Sequence, residues 1–147
     1  MASNWYTLML AVQDIIKALA LEDIPEDEVR VRKLPHDGEV YYRGITIHPV
    51  EERSIHGTNE REDVGYGIAV TMVQNNDDDM VRNLDRMLTW REAIRKKFVE
   101  DRDLGGLTQH FTIKVEFGRV FDDRDILKRS FDISVLVLRC WAREVRT

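Results

Sequence analysis

The chain has 147 residues, 43% of them apolar and 33% charged, with a net charge of −5 and one cysteine. That length suffices for one domain with a substantial core, and residues 1–147 are read as a single domain. The acidic balance argues against a general binder of nucleic-acid phosphates, and a lone Cys140 excludes an intramolecular disulfide or a multi-cysteine metal site.

The apolar stretch Tyr6–Val12 has no basic segment ahead of it and ends at Gln13-Asp14, so it is not expected to act as a signal peptide. No run approaches the ~20 apolar residues of a membrane span, and the expectation is a protein made in a cytoplasm. Residues Trp5 to Leu21 predict a helix, with Leu8, Val12, Ile15 and Leu19 as its apolar stripe and Ser3 or Asn4 as N-cap. Glu22–Glu28, containing Pro25, breaks the pattern. Val29–Leu34 alternates as a short strand, and Pro35-His-Asp-Gly38 has turn chemistry.

Gly44 to Val50 alternates Ile45 and Ile47 with Thr46 and His48, which predicts a half-buried strand. Pro49 cannot donate to a ladder, so this strand is expected to end there or to lie at an edge. A second strand follows at Val64–Gln74, with Tyr66, Ile68, Val70 and Met72 on one face and Gly67, Ala69, Thr71 and Val73 on the other. Between them, Glu51–Asp63 carries five acids, two arginines and a histidine and reads as a long loop. Loops of this length in a compact domain are mostly functional or disordered.

A second helix is predicted from Val81, Leu84, Met87, Leu88, Arg91, Ile94 and Phe98. Asp77, Asp78 and Asp79 precede it and read as its N-cap region rather than a metal site. Acids complement the positive end of the helix dipole, as Arg95, Lys96 and Lys97 complement the other end. Gly105 and Gly106 close the helix. Gln109–Phe117 alternates as a strand, Gly118–Ser130 is a charged connector, and Phe131–Trp141 is a strand apolar on both faces, as a central strand would be. Strands adjacent in sequence with short links predict an α+β fold. The expectation is a mixed, mostly antiparallel sheet of about five strands with two helices packed on it, and a long loop between two strands.

No nucleotide-binding, metalloprotease or nucleophile-elbow motif is present. A cluster of His48, Glu51, His56 and Asp63 would offer nitrogen and oxygen ligands, but its spacing matches no rigid metal geometry. Cys140 has no partner base in sequence and reads as a buried thiol. Trp5 and Trp90 read as packing residues. Neither enzyme activity nor a cofactor is expected. A structural subunit whose contacts are with copies of itself suits the mixed charge best, with a small soluble enzyme using Glu51–Asp63 as a lid as the rival.

The order of elements, with the strand Tyr42-Arg-Gly-Ile-Thr-Ile-His-Pro-Val-Glu-Glu, the apolar strand Gly67–Val73 and the closing Asp132-Ile-Ser-Val-Leu-Val-Leu-Arg-Cys-Trp, resembles the tail terminator proteins of long-tailed bacteriophages. The resemblance is one of layout and length over almost the whole chain. It implies a ring, hexameric in that family, that caps the tail tube, stops its polymerisation and joins tail to head. The implied partners are further copies of the chain, the tail tube protein and a neck or head-completion protein, with DNA passing through unbound. The implied place is the virion, assembled in the host cytoplasm. A neck or head-tail connector is the alternative within this class. Glu51, Glu52, Arg53, His56, Asn59, Glu60, Arg61, Glu62 and Asp63 would then form an arm between subunits.

Overall fold

The computed structural model describes residues 4–33, 43–56, 61–75, 80–100, 112–117 and 131–145. Ser3, the Pro35–Gly38 turn, Asn59, Glu60, Asp77, Asp78, Asp79, the Gly105-Gly106 helix end and the Gly118–Ser130 connector lie outside the described residues. The elements are α1 (Asn4–Ala18), a 3-10 turn (Glu26–Glu28), β1 (Val29–Val31), β2 (Arg43–His56), β3 (Arg61–Asn75), α2 (Met80–Glu100), β4 (Thr112–Phe117) and β5 (Phe131–Val145). This is the expected α+β order. The five strands form one sheet in the order β1-β2-β3-β5-β4. The β1–β2 pair is parallel and the other three pairs are antiparallel.

Both helices contribute to one core on one face of the sheet. Leu8, Met9, Val12 and Ile16 of α1 and Met87, Trp90, Ile94 and Phe98 of α2 pack on Ile45, Ile47, Tyr66, Ile68, Val70, Met72, Leu136 and Leu138. The strand residues follow the period of two and the helix residues the period of 3.6, so each element turns a single apolar face to the same interior. The buried line of α1 is rotated slightly from the expected stripe, since Ile16 is buried whereas Ile15 and Leu19 are only partly covered. On α2, Val81, Leu84 and Leu88 of the predicted pattern are exposed, Trp90 is buried as a packing residue, and Asn83 and Arg86 also take buried positions.

The end of α1 tightens through bonds from the Leu19 and Ala20 amides to the Ile16 and Lys17 carbonyls. Ala20 (φ 47°) and Asp23 (φ 62°) then adopt left-handed conformations that cost a non-glycine residue roughly 1–2 kcal/mol each. Trp90 offsets part of this by donating its indole N–H to the Glu22 carbonyl at 2.8 Å.

Pro49 does not end β2, which continues to His56. β1 pairs with β2 only through Ile47, whose carbonyl accepts from the Arg32 amide. Because backbone groups alternate in direction, Pro49 turns its missing N–H to the same side as Ile47, where β1 has already stopped. From that point one side of β2 is an edge among the described residues, so the expectation of an edge holds and that of a strand end does not.

Candidate assembly surface

Glu51–Asp63 is not a long loop. β2 and β3 stay paired out to Ile55↔Asp63 and His56↔Glu62, and β3 pairs on its other side with β5 out to Asp63↔Arg143, Glu62↔Glu144 and Arg61↔Val145. Glu51, Glu52, Arg53 and His56 therefore belong to β2, and Arg61, Glu62 and Asp63 to β3. The charges were misleading because a strand paired with its neighbours along the backbone need not show an apolar face in sequence. Among the described residues, β4 pairs as far as Trp141 and β1 as far as Ile47. What lies beyond them is a three-stranded ribbon of β2, β3 and β5.

A β-bulge sets the charges of this ribbon. Pro49 pairs with Ile68 and Glu52 with Tyr66, so Val50 and Glu51 together oppose Gly67. The extra residue reverses the alternation of β2. Ile45 and Ile47 face the helices, but beyond the bulge Arg53 lies opposite Gly65, on the far face of the sheet. Glu51 turns to that face as well. Its carboxylate accepts from Arg139 Nη2 at 2.5 Å and from Arg53 Nη2 at 3.0 Å.

Arg139 is paired with Gly67, and its side chain crosses that bare position to reach Glu51 one strand further on. A Cβ at Gly67 would stand 2.9 Å from the Glu51 carbonyl oxygen and 3.2 Å from Arg139 Nη1. At Gly65 a Cβ would stand 3.0 Å from the Trp141 ring. Two glycines thus form a trough on the far face, filled by Trp141 and the buried Arg139. On the near face, the Trp5 indole donates to the Gly67 carbonyl at 3.2 Å, and its ring packs on Tyr66 with centroids 5.4 Å apart.

The hydrogen bond from Arg139, aided by the charge of Arg53, holds the Glu51 carboxyl below the usual carboxylate range. Beside it, His48 contacts the Thr71 hydroxyl through Nε2 at 3.2 Å, and burial lowers its pKa. Cys140 is buried in the core and its thiol is pushed up to about 12, chiefly by burial, so the nucleophilic thiolate is suppressed.

A second polar cluster, missed in the sequence, lies at the opposite end of β3. Gln74 donates to Asp132 (2.9 Å) and to the Asn83 carbonyl (2.8 Å), and accepts from Arg86 Nε at 2.9 Å. Arg86 Nη2 donates to the Asn83 side chain (3.0 Å), and Nη1 lies 3.5 Å from Asp23. Arg43 and Arg82 approach the same Asp23 carboxylate at 3.9 and 3.6 Å. Arg91 donates to Ser134 (3.0 Å) and to the Val135 carbonyl (2.7 Å), and burial lowers its pKa. These contacts tie α2, the α1–β1 loop, β3 and β5 together. The clue was Arg82, Asn83 and Arg86 at helical spacing, yet arginines on a helix ordinarily read as a solvated face.

His48, Glu51, His56 and Asp63 are strung along the two paired strands. Among the described residues, no group of three His, Cys, Asp or Glu is placed to hold a metal ion. No helix among them is long and apolar enough to cross a membrane. No protein-family model matches the chain, and no curated protein matches it.

Proposed function

We propose that the chain is a structural subunit of a tailed virion, a tail terminator that closes into a ring on the tail tube and joins tail to head. The observation that supports this reading is the three-stranded ribbon. A ladder of paired backbone holds it, with Glu51, Glu52 and Arg53 of β2 exposed at its base. A ring subunit needs a contact with a neighbour that repeats by rotation until it closes. A projecting element with charges of both signs can reach that neighbour and set its register. The layout of elements, similar to that of phage tail terminators, points the same way. A lid over an enzyme site fits less well, because both strands of the hairpin are committed to the sheet.

The test shortens the ribbon without disturbing its base. Replacing Ile55–Asp63 by Asn-Gly leaves a two-residue turn closing on the native pair Ser54↔Val64. The shortened chain is expected to remain a folded monomer and to fail to form rings in light scattering and negative-stain microscopy. Rings of unchanged size would remove the ribbon from the assembly.

A further inference from the structure

The outward face of α2 has no role in the core or the ribbon, yet it carries Val81, Leu84, Leu88 and Val99 at 77%, 48%, 41% and 44% exposure. At about 100° per residue, Val81, Leu88, Glu92 and Val99 fall within about 20° of one line along the helix. Leu84 and Arg95 lie about 40–60° to one side of that line, and Asp85 and Lys96 lie by a similar angle to the other. The buried Trp90 is on the opposite face. Glu92 and Lys96 are tied at 2.7 Å across one turn, which holds the Lys96 stem along the helix.

The distribution of apolar and charged groups along this line says what complements it. Its N-terminal half is apolar apart from Asp85, and its C-terminal half is charged apart from Val99. A second α2, laid antiparallel about a two-fold axis level with Trp90, sets each half against the other. Val81 then meets Val99 of the second copy, and Leu88 meets the methylenes of its Glu92. A two-fold keeps each side of the line on its own side. Leu84 therefore lies against the aliphatic stem of Arg95, and Asp85 against the ammonium of Lys96, both from the second copy. Every contact occurs twice. A parallel pair would instead bring Asp85 to Asp85 and Lys96 to Lys96, and would set the helix dipoles side by side in the same direction. The face complements itself in the antiparallel orientation.

We infer that two copies of the chain associate through α2, antiparallel along the Val81–Val99 line. A two-fold contact closes after two copies, so this surface is separate from any joint that closes a ring by rotation, and it does not rest on the ring reading. One helix pair is small for a specific interface, which places the association at about 10–100 µM.

The test follows the full chain by sedimentation velocity from about 2 to 200 µM, a range that brackets this affinity. Four samples are compared: wild type, Asp85→Lys, Lys96→Asp and an equal mixture of the two variants. Both positions are exposed, so the fold should survive, and circular dichroism checks that it does. Wild type is expected to gain mass above about 10 µM, on top of whatever unit it forms below that concentration. Each variant alone sets like charges together at both ends of the contact and should associate at least about tenfold more weakly. In the mixture, one copy of each variant sets a lysine against an aspartate at both ends, and association should return to within about threefold of wild type. A wild-type mass that stays constant, a single variant that associates as wild type does, or a mixture that fails to recover overturns the inference. The unit formed at low concentration, ring or monomer, is expected to be the same in all four samples, which keeps these outcomes apart from the ring reading.

Discussion

At the scale of single residues, the far face of the sheet turns on two missing side chains. Gly67 faces a bulged backbone, so a methyl group there meets a main-chain oxygen at 2.9 Å that cannot swing aside. Gly65 faces the edge of the Trp141 ring at 3.0 Å, and a half-buried ring can pivot. Gly67→Ala should therefore lose about 1–3 kcal/mol, as an overpacked site does, and Gly65→Ala clearly less. Urea unfolding of both variants measures the difference. Equal costs would mean that the bulge yields as easily as the ring. The small-residue stripe Gly67, Ala69, Thr71, Val73 was visible in the sequence. Its reason was not, because it depends on a bulge in another strand and on an arginine 72 positions later, at residue 139.

At the scale of elements, α2 is held by polar contacts as much as by its apolar ones. Arg86 is buried and gives hydrogen bonds to Gln74 and Asn83 while facing Asp23. Arg82 approaches the same Asp23 with 59% of its side chain exposed. Removing a buried charge-assisted donor strands its acceptors, whereas an exposed ion pair contributes little. Arg86→Ala is expected to cost about 3 kcal/mol or more, and Arg82→Ala to stay within about 0.5 kcal/mol. Thermal or urea unfolding separates the two, and an Arg86→Ala chain as stable as wild type would deny the cluster its structural role. Helix existence and length were legible from Met87, Ile94 and Phe98. The facing was not, because an apolar Leu84 and a charged Arg86 exchange their customary places, and only the Gln74–Asp132 pair beneath explains it.

At the scale of the whole molecule, the sheet order was recoverable only in part. Alternation identified five strands and their mixed pairing, and the doubly apolar β5 signalled an interior position. The ribbon escaped detection because Arg61–Asp63 and Arg143–Val145 look like solvated chain until they are seen paired with each other. That architecture predicts a gradient of local stability. β3 is paired on both sides along nearly its whole length, and β5 shares every one of its residues with β3. β1 contributes three residues on one side of β2, next to the positive-φ loop. Opening β3 breaks two ladders and exposes the core under both helices, whereas opening β1 breaks a short ladder. In hydrogen–deuterium exchange, peptides covering Val64–Val73 and Ile133–Ala142 should exchange slowest, near the global unfolding limit. The peptide covering Glu28–Lys33 should exchange fastest among the strands, and the Arg61–Asp63 tip at a rate between them. Protection of β1 equal to that of β3 would mean that the α1–β1 unit unfolds only with the whole domain.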